Sequence, residues 1–166
     1  MERIFGLEPV AGEDVRVLIL GSMPSVESLG KQEYYGNKRN HFWKIMFMLF
    51  DQSELTNYGD RISFLKEKNI ALWDVLYSCI REGSLDSNIK NEEPNEIEDC
   101  VKNNPGLRLI VCNGTKSYKS YQKYIGLNRF PGVEVIKLPS TSPVPGKYNK
   151  TLEGKLQEWK IIKEYL

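Results

Sequence analysis

The segment spanning residues 33–43 concentrates side chains that could hold a flat, polar ring. It reads EYYGNKRNHFW, with two tyrosines, two asparagines and two cations within eleven positions. A nucleobase needs a stacking face, which Tyr35 can supply, and hydrogen-bonding amides, which Asn37 or Asn40 can supply. A structural interpretation is also open, in which the tyrosines are packing residues and Asn40 caps the following helix.

Two segments rich in small residues could present backbone N–H or hydroxyl groups to an acceptor. Residues 21–25 read GSMPS, a turn that suits a base carbonyl or a phosphate, because glycine permits close approach and proline fixes the backbone. Residues 139–146 read PSTSPVPG and carry hydroxyls that could hold phosphates and an apolar tip that could wedge into a base stack. An ordinary strand-to-helix turn and a rigid surface loop are the alternatives.

The other reactive side chains form no recognisable metal or nucleophile motif. His41 is the one histidine in the sequence, and the three cysteines, Cys79, Cys100 and Cys112, are widely spaced without a histidine cluster. We therefore expect no metal site and no disulfide framework. His41 is interpreted as a partly exposed helix residue, and Asp74, at a predicted strand end, as a hydrogen-bonded structural carboxylate.

The elements that position these segments follow from the hydrophobic pattern. Nearly unbroken apolar runs separated by helix-like sequence predict buried strands at 15–20, 70–75, 107–113 and 133–138. We therefore predict an α/β fold, a single-domain three-layer α/β/α arrangement with a four-stranded parallel sheet. Ligands bind beyond the carboxyl ends of such strands, so the segments that follow them should converge on one edge.

Helices are predicted at 40–50, 60–68, 115–125 and 151–166, and another opens at Asn95, which is expected to cap it with Glu98 as reciprocal partner. The 166 residues fit one domain covering 1–166. The net charge of +1 indicates at most a small nucleic-acid footprint. The first residues contain neither a signal nor a membrane span, so we expect a cytoplasmic protein without a membrane partner, acting as a monomer.

In combination, five segments resemble the uracil-DNA glycosylase superfamily, and most closely its hypoxanthine-DNA glycosylase branch. The matching segments are 18–28 (LILGSMPSVES), 34–43 (the YY...N.FW pattern), 73–75 with 81–84 (WDV and REGS), 113–114 (NG) and 138–143 (LPSTSP). The resemblance spans nearly the whole chain. It implies a monofunctional enzyme without cofactor that flips a deaminated base out of DNA and hydrolyses its glycosidic bond, leaving an abasic site.

The resemblance also implies residue roles. Tyr35 is similar to the residue that stacks on the flipped base. Met23 occupies the position at which related enzymes carry a catalytic asparagine, and a thioether cannot orient water. The hypoxanthine branch instead relies on an asparagine that corresponds to Asn40, our catalytic candidate. The base-binding candidates are Gly21, Ser22, Met23, Tyr35 and Asn113, and the DNA-binding candidates are Pro24, Ser25, Lys38, Ser140, Thr141, Ser142, Pro143, Val144 and Lys147.

Three alternatives remain open at this level. The same fold could act on uracil in mismatched or single-stranded DNA. Met23 and the near-neutral charge also allow a catalytically inactive member that binds DNA or a nucleotide. A small-molecule nucleoside hydrolase is disfavoured by the wedge-like proline loop.

Overall fold

The computed structural model describes residues 1–143 and 150–166. Its strands are β1 (Arg3–Phe5), β2 (Val17–Gly21), β3 (Ile70–Asp74), β4 (Leu76–Ile80), β5 (Lys90–Pro94), β6 (Leu109–Asn113) and β7 (Glu134–Leu138). Its α-helices are α1 (Val26–Lys31), α2 (Phe42–Leu49), α3 (Tyr58–Glu67), α4 (Ile97–Lys102), α5 (Thr115–Tyr124) and α6 (Leu152–Trp159). Short 3-10 helices follow at Asp86–Asn88 and Lys160–Tyr165.

The central sheet is four-stranded and parallel, in the order β3-β2-β6-β7. Each of its strands lies within or next to one of the predicted apolar runs. The ladder pairs Gly21 with Asp74 and Asn113 with Leu138, which brings the carboxyl ends of the four strands to one edge. The predicted α/β fold is confirmed.

Two apolar clusters cover the two faces of this sheet. Val17 and Ile19 of β2 point into the cluster formed with α2, α3 and α6, whereas Leu18 and Leu20 point into the cluster formed with α4 and α5. Burial on both faces explains why the strand reads as an unbroken apolar run instead of an alternating one. None of the helices in the described ranges has the length and apolar content that a membrane crossing requires.

A second sheet, three-stranded and antiparallel in the order β1-β4-β5, was not predicted. Strand β4 follows β3 after the single residue Val75, so the two strands read as one apolar segment. Strand β5 has the sequence KNEEP and is almost entirely exposed, and it therefore carries no hydrophobic signal. Only pairing with β4 defines it as a strand.

The expected capping role of Asn95 is wrong. Helix α4 begins at Ile97, and the residue before it, Glu96, makes no side-chain capping bond. The Nδ2 of Asn95 instead donates to the carbonyl oxygens of Asp74 and Leu76, at 2.9 and 3.1 Å. Asn95 thus ties the chain to the β3–β4 junction, where its amide satisfies two buried carbonyl groups.

Candidate active site

A cleft of about 610 Å³ opens at the carboxyl edge of the parallel sheet. This volume is in the range of small-molecule sites. Its lining includes twelve of the predicted site residues: Gly21, Ser22, Met23, Pro24, Ser25, Tyr35, Asn40, Asn113, Ser140, Thr141, Ser142 and Pro143. Lys38 is exposed and does not line the cleft, and Val144 and Lys147 lie outside the described residues.

The turn after β2 forms one wall of the cleft. The Ser22 Oγ donates to Asp86 Oδ1 at 2.6 Å, a contact that the sequence did not indicate. Met23 is 7% exposed and belongs to an apolar cluster that includes Val75 and Leu76, so its thioether has a packing role. The backbone N–H groups of Ser22 and Met23 donate to no residue in the described part of the chain. They are therefore available to an acceptor in the cleft.

The segment after β4 contacts the same turn through Arg81 and Ser84. Arg81 is 5% exposed, and its guanidinium donates to the carbonyl oxygens of Pro24 and Gly83, both at 2.7 Å. The Ser84 hydroxyl accepts from the Val26 N–H at 2.9 Å. The motif at 81–84 therefore holds the turn at 21–25 in place through these hydrogen bonds. The sequence did not indicate this role, because an arginine is usually solvated.

Tyr35 lies in the cleft with one ring face already covered. Its ring stacks on Phe42 with centroids 4.0 Å apart and an angle of 18° between the planes. Its hydroxyl accepts from Asn113 Nδ2 at 3.2 Å. Burial raises the pKa of Tyr35, with Asp74 adding to the effect, so the phenol keeps its proton. Only the other ring face is left for a stacked base, and that role stays a prediction.

Asn113 and Thr141 join the ends of β6 and β7. Asn113 Oδ1 accepts from the Thr141 N–H at 3.0 Å, and Asn113 Nδ2 donates to Thr141 Oγ1 at 3.0 Å. The Thr141 carbonyl accepts from the His41 N–H at 2.9 Å. Thr141 is 1% exposed. Because its backbone and hydroxyl are engaged inside the protein, Thr141 anchors the loop, and the predicted DNA contacts of Thr141 and of its neighbours Ser140 and Ser142 stay predictions.

Asn40 stands at the start of α2. The N-cap of α2 is His41, which makes no side-chain capping bond, so the interpretation of Asn40 as the N-cap is wrong by one residue. The Oδ1 of Asn40 nevertheless accepts from the Phe42 N–H at 2.9 Å. Its Nδ2 donates to no residue among those the structure describes. Since only an oxygen can accept from a backbone N–H, this contact fixes which way the amide faces. Asn40 therefore combines an oxygen that is bonded to the first residue of α2 with an unused N–H₂ group at the cleft.

A buried lysine lies behind the site. Lys155 of α6 is fully buried, with its Nζ 3.2 Å from His41 Nδ1 and 3.3 Å from the Ser142 carbonyl oxygen. Burial lowers the pKa of His41, and Lys155 and Lys44 lower it further, so the imidazole is neutral and Nδ1 accepts. His41 and Lys155 connect the start of α2, the loop after β7 and α6. Among the described residues they make no contact that suggests acid-base catalysis.

The structural interpretation of Asp74 as a hydrogen-bonded carboxylate is wrong. Asp74 is 5% exposed, and its carboxylate accepts no hydrogen bond from any described residue. Burial and, to a smaller extent, the charge of Asp86 raise its pKa to about 7, against the opposing charge of Arg81. A carbon added at Gly21 would lie 2.5 Å from Asp74 Oδ1, so only glycine leaves room for this carboxylate.

Known proteins resemble this chain over almost its entire length. The family model described as the uracil DNA glycosylase superfamily matches residues 9–164. The hypoxanthine DNA glycosylase of Methanosarcina acetivorans is 38% identical over 158 residues, covering 95% of this chain and 96% of that protein. The one of Methanosarcina barkeri is 35% identical over 155 residues, covering 93% and 94%.

A solved structure agrees with these relatives. The solution NMR structure of a Methanosarcina acetivorans protein described as a candidate uracil DNA glycosylase superposes with a TM-score of 0.81. It is 36% identical, and the match covers 98% of this chain and 97% of that one. The chain belongs to the uracil DNA glycosylase superfamily, which confirms the family indicated by its motifs.

Proposed function

We propose that the protein is a monofunctional DNA glycosylase that flips a deaminated base, hypoxanthine by preference, into the cleft and hydrolyses its N-glycosidic bond. The observation that carries this proposal is the Asn40 amide, which lines the cleft of about 610 Å³ with its Nδ2 unused among the described residues. Two curated relatives named hypoxanthine DNA glycosylase, 38% and 35% identical, support the choice of base.

The glycosidic bond breaks through a state in which positive charge develops on the sugar and negative charge on the leaving base. Preorganised N–H donors stabilise such developing charge without reorganising in the reaction. The unused N–H groups of Ser22 and Met23 fit this task. The turn that carries them is held by the contacts from Arg81 and Asp86, so the donors are fixed before the base arrives.

In this proposal Asn40 positions the attacking water. The bond from the Phe42 N–H uses one lone pair of Oδ1 and holds the amide plane, which leaves a second lone pair and the N–H₂ group for water. Related enzymes carry a catalytic asparagine at the position of Met23, and in this proposal the amide of Asn40, just before α2, takes over its role. No lysine is required as a nucleophile, so the product is an abasic site in an intact strand.

A substrate panel tests the reaction. Duplexes containing a single hypoxanthine, uracil, xanthine or ethenocytosine are incubated with the protein, and alkali-labile sites are scored. We expect cleavage after alkali treatment that is strongest for hypoxanthine and absent without alkali. Strongest excision of uracil would favour the mismatch-uracil alternative, and binding without excision of any base would favour an inactive member.

We further propose that the enzyme works as a cytoplasmic monomer without a cofactor. Support for a monomer comes from the cleft, because the candidate residues Tyr35, Asn40 and Asn113 of a single chain meet in it. Sedimentation at working concentration should give the mass of one chain, 19.2 kDa, and cell fractionation should recover the protein with the cytoplasm. A dimer that loses activity on dilution would contradict the monomeric state.

A further inference from the structure

We propose that Arg39 binds the DNA backbone phosphate next to the flipped nucleotide and so orients the strand across the cleft. The inference rests on the proposed function, because it needs a DNA strand with a base in the cleft. The sequence predicted a DNA contact for the neighbouring cation, Lys38, which does not line the cleft, whereas Arg39 does.

The charged side chains of the cleft are unevenly distributed. Three of those that line it are acidic: Glu27 of α1, Asp74 at the end of β3 and Asp86 of the 3-10 helix after β4. Arg39 is the only cation in the lining among the described residues. Carboxylates repel phosphate at short range, and a guanidinium attracts it. The phosphates of a bound strand are therefore expected on the side of Arg39.

Arg39 is placed for such a contact by the segment before α2. It is exposed and directly precedes Asn40, the candidate for positioning water at the glycosidic bond. Its backbone N–H donates to Asn37 Oδ1 at 2.9 Å, whereas its guanidinium has no hydrogen-bond or ion-pair partner among the described residues. The N–H groups of the guanidinium are therefore available, and their fork geometry matches two oxygens of one phosphate.

The loop after β7 lies on the same side of the cleft. The His41 N–H donates to the Thr141 carbonyl oxygen at 2.9 Å, which holds the segment before α2 beside the cleft-lining residues 140–143. Lys155 lies behind this loop, with its Nζ 3.3 Å from the Ser142 carbonyl oxygen, and it forms no ion pair with a described carboxylate. Its charge therefore adds to the attraction for a phosphate at this end of the cleft.

A phosphate at Arg39 gives the parts of a nucleotide an order along the cleft. The phosphate would lie at Arg39, the glycosidic bond at Asn40 and the base at Tyr35, all of which line the cleft. Phosphate contacts fix the register of a protein on DNA and carry no sequence information. Arg39 should therefore strengthen binding equally for every damaged base.

The first experiment measures binding without excision. The probe is a duplex containing tetrahydrofuran, an abasic analogue that has no glycosidic bond. Arg39→Gln should bind it about tenfold more weakly at low salt, and the plot of log Kd against log salt should be less steep by about 1, the loss of one phosphate contact. Arg39→Lys should keep the wild-type slope, because the charge remains.

Arg108→Gln is the matched control. It removes an exposed arginine that directly precedes β6, at the amino edge of the sheet, opposite the cleft. Its affinity and its salt slope should equal those of the wild type. A salt slope in Arg39→Gln that equals the wild-type slope would overturn the inference, and so would a slope in Arg39→Lys that falls as far as in Arg39→Gln.

The second experiment identifies the phosphate. Methylphosphonates, in which a methyl group replaces the charged oxygen, are introduced one at a time around the tetrahydrofuran. Wild-type binding should weaken most, about tenfold, at one phosphate next to the analogue. At that position Arg39→Gln should lose about twofold or less, because the two changes remove the same contact. Equal losses in both proteins at every position would overturn the inference.

Failure of the proposed function is a separate outcome. A wild-type protein that binds the tetrahydrofuran duplex but excises no base would contradict the glycosylase proposal, and the two binding experiments would still decide on Arg39. An active enzyme whose binding does not depend on residue 39 overturns the phosphate contact alone. A wild-type protein that does not bind the duplex overturns both.

Discussion

The two walls of the cleft differ in how completely their polar groups are bonded. On the wall formed by Asn113 and Thr141, the Asn113 amide bonds to the Thr141 hydroxyl and backbone N–H and also donates to the Tyr35 hydroxyl. On the wall formed by Asp74 and the turn after β2, the carboxylate and the N–H groups of Ser22 and Met23 have no partner in the described ranges. The bonded wall therefore holds the shape of the cleft, and the open wall can bind substrate.

Asn40 lies between these cases, with its oxygen bonded to the Phe42 N–H and its Nδ2 unused. Buried polar groups without hydrogen-bond partners destabilise a fold. A cleft that keeps such groups is therefore less stable, but its donors and acceptors are free to bind a substrate. If this comparison holds, substitutions on the open wall should change chemistry or increase stability. Substitutions on the bonded wall should mainly reduce stability.

The largest expected effect is on stability at Asp74. Its pKa rises to about 7 in the folded protein through burial and Asp86, against the opposing charge of Arg81, with Tyr34 and Tyr35 also near. A raised carboxyl pKa means that the stability present below the unfolded-state pKa of about 4 is lost as pH rises through 7. At 1.36 kcal/mol per pKa unit, the loss reaches up to about 4 kcal/mol.

Asp74→Asn is neutral at every pH and should avoid this loss. Urea unfolding of both proteins should show similar stability near pH 4 and a clear advantage for the variant at pH 8. Parallel stability curves for the two proteins across this range would show that the carboxylate is not held in an unfavourable environment. The open wall would then need a different explanation.

The next effect is on turnover at Asn40. A serine can keep the turn that accepts the Phe42 N–H while removing the amide, so Asn40→Ser separates capping from water positioning. We expect excision to fall about a hundredfold or more in single-turnover assays, with stability nearly unchanged. Asn40→Ala should lose the same activity and about 1 kcal/mol of stability. Full activity in either folded variant would move catalysis elsewhere.

A smaller effect is expected on the bonded wall. Asn113→Ala leaves the Thr141 N–H and hydroxyl without their partner, which should reduce unfolding free energy by about 1–3 kcal/mol. The exposed Asn128→Ala is the control and should leave stability unchanged. Unfolding is followed by circular dichroism in urea. Unchanged stability with lost excision would instead make Asn113 a direct base contact, the role that the sequence motif suggested.

The smallest expected effect is that of metal removal. No group of three or more His, Cys, Asp or Glu residues suited to a metal ion occurs in residues 1–143 and 150–166. Excision of hypoxanthine should be the same with and without excess EDTA. A loss of activity in chelator that zinc or magnesium restores would contradict the metal-independent mechanism.

The sequence determined the parallel sheet because strands buried on both faces must be apolar along their whole length. Because that pattern is local, it predicted the ends of each strand to within about two residues. The same reasoning located the cleft, since the segments after parallel strands meet at one edge. The motif residues were recognisable because turns such as Gly21–Ser25 need particular residue types.

Tertiary structure alone decided the antiparallel sheet and the surroundings of individual polar side chains. Strand β5 has polar residues throughout, and its pairing with β4 depends on contacts between distant parts of the chain. Asn95 looked like a helix cap because capping is a local rule, yet its amide bonds to carbonyls of the β3–β4 junction. A local pattern cannot show which distant groups arrive beside a side chain.

Asp74 and Lys155 show the same limit most clearly. Both residue types are usually solvated. The apolar run at 70–75 predicts a buried strand around Asp74, but no local pattern shows that its carboxylate lacks a partner or that Lys155 is buried. Asp74 is buried because β2 and the segment after β4 close around the end of β3, and Lys155 is buried because α6 packs behind the start of α2. The sequence thus determined the position of the cleft, whereas only the tertiary structure determined which polar groups lie in it without a hydrogen-bond partner among the described residues.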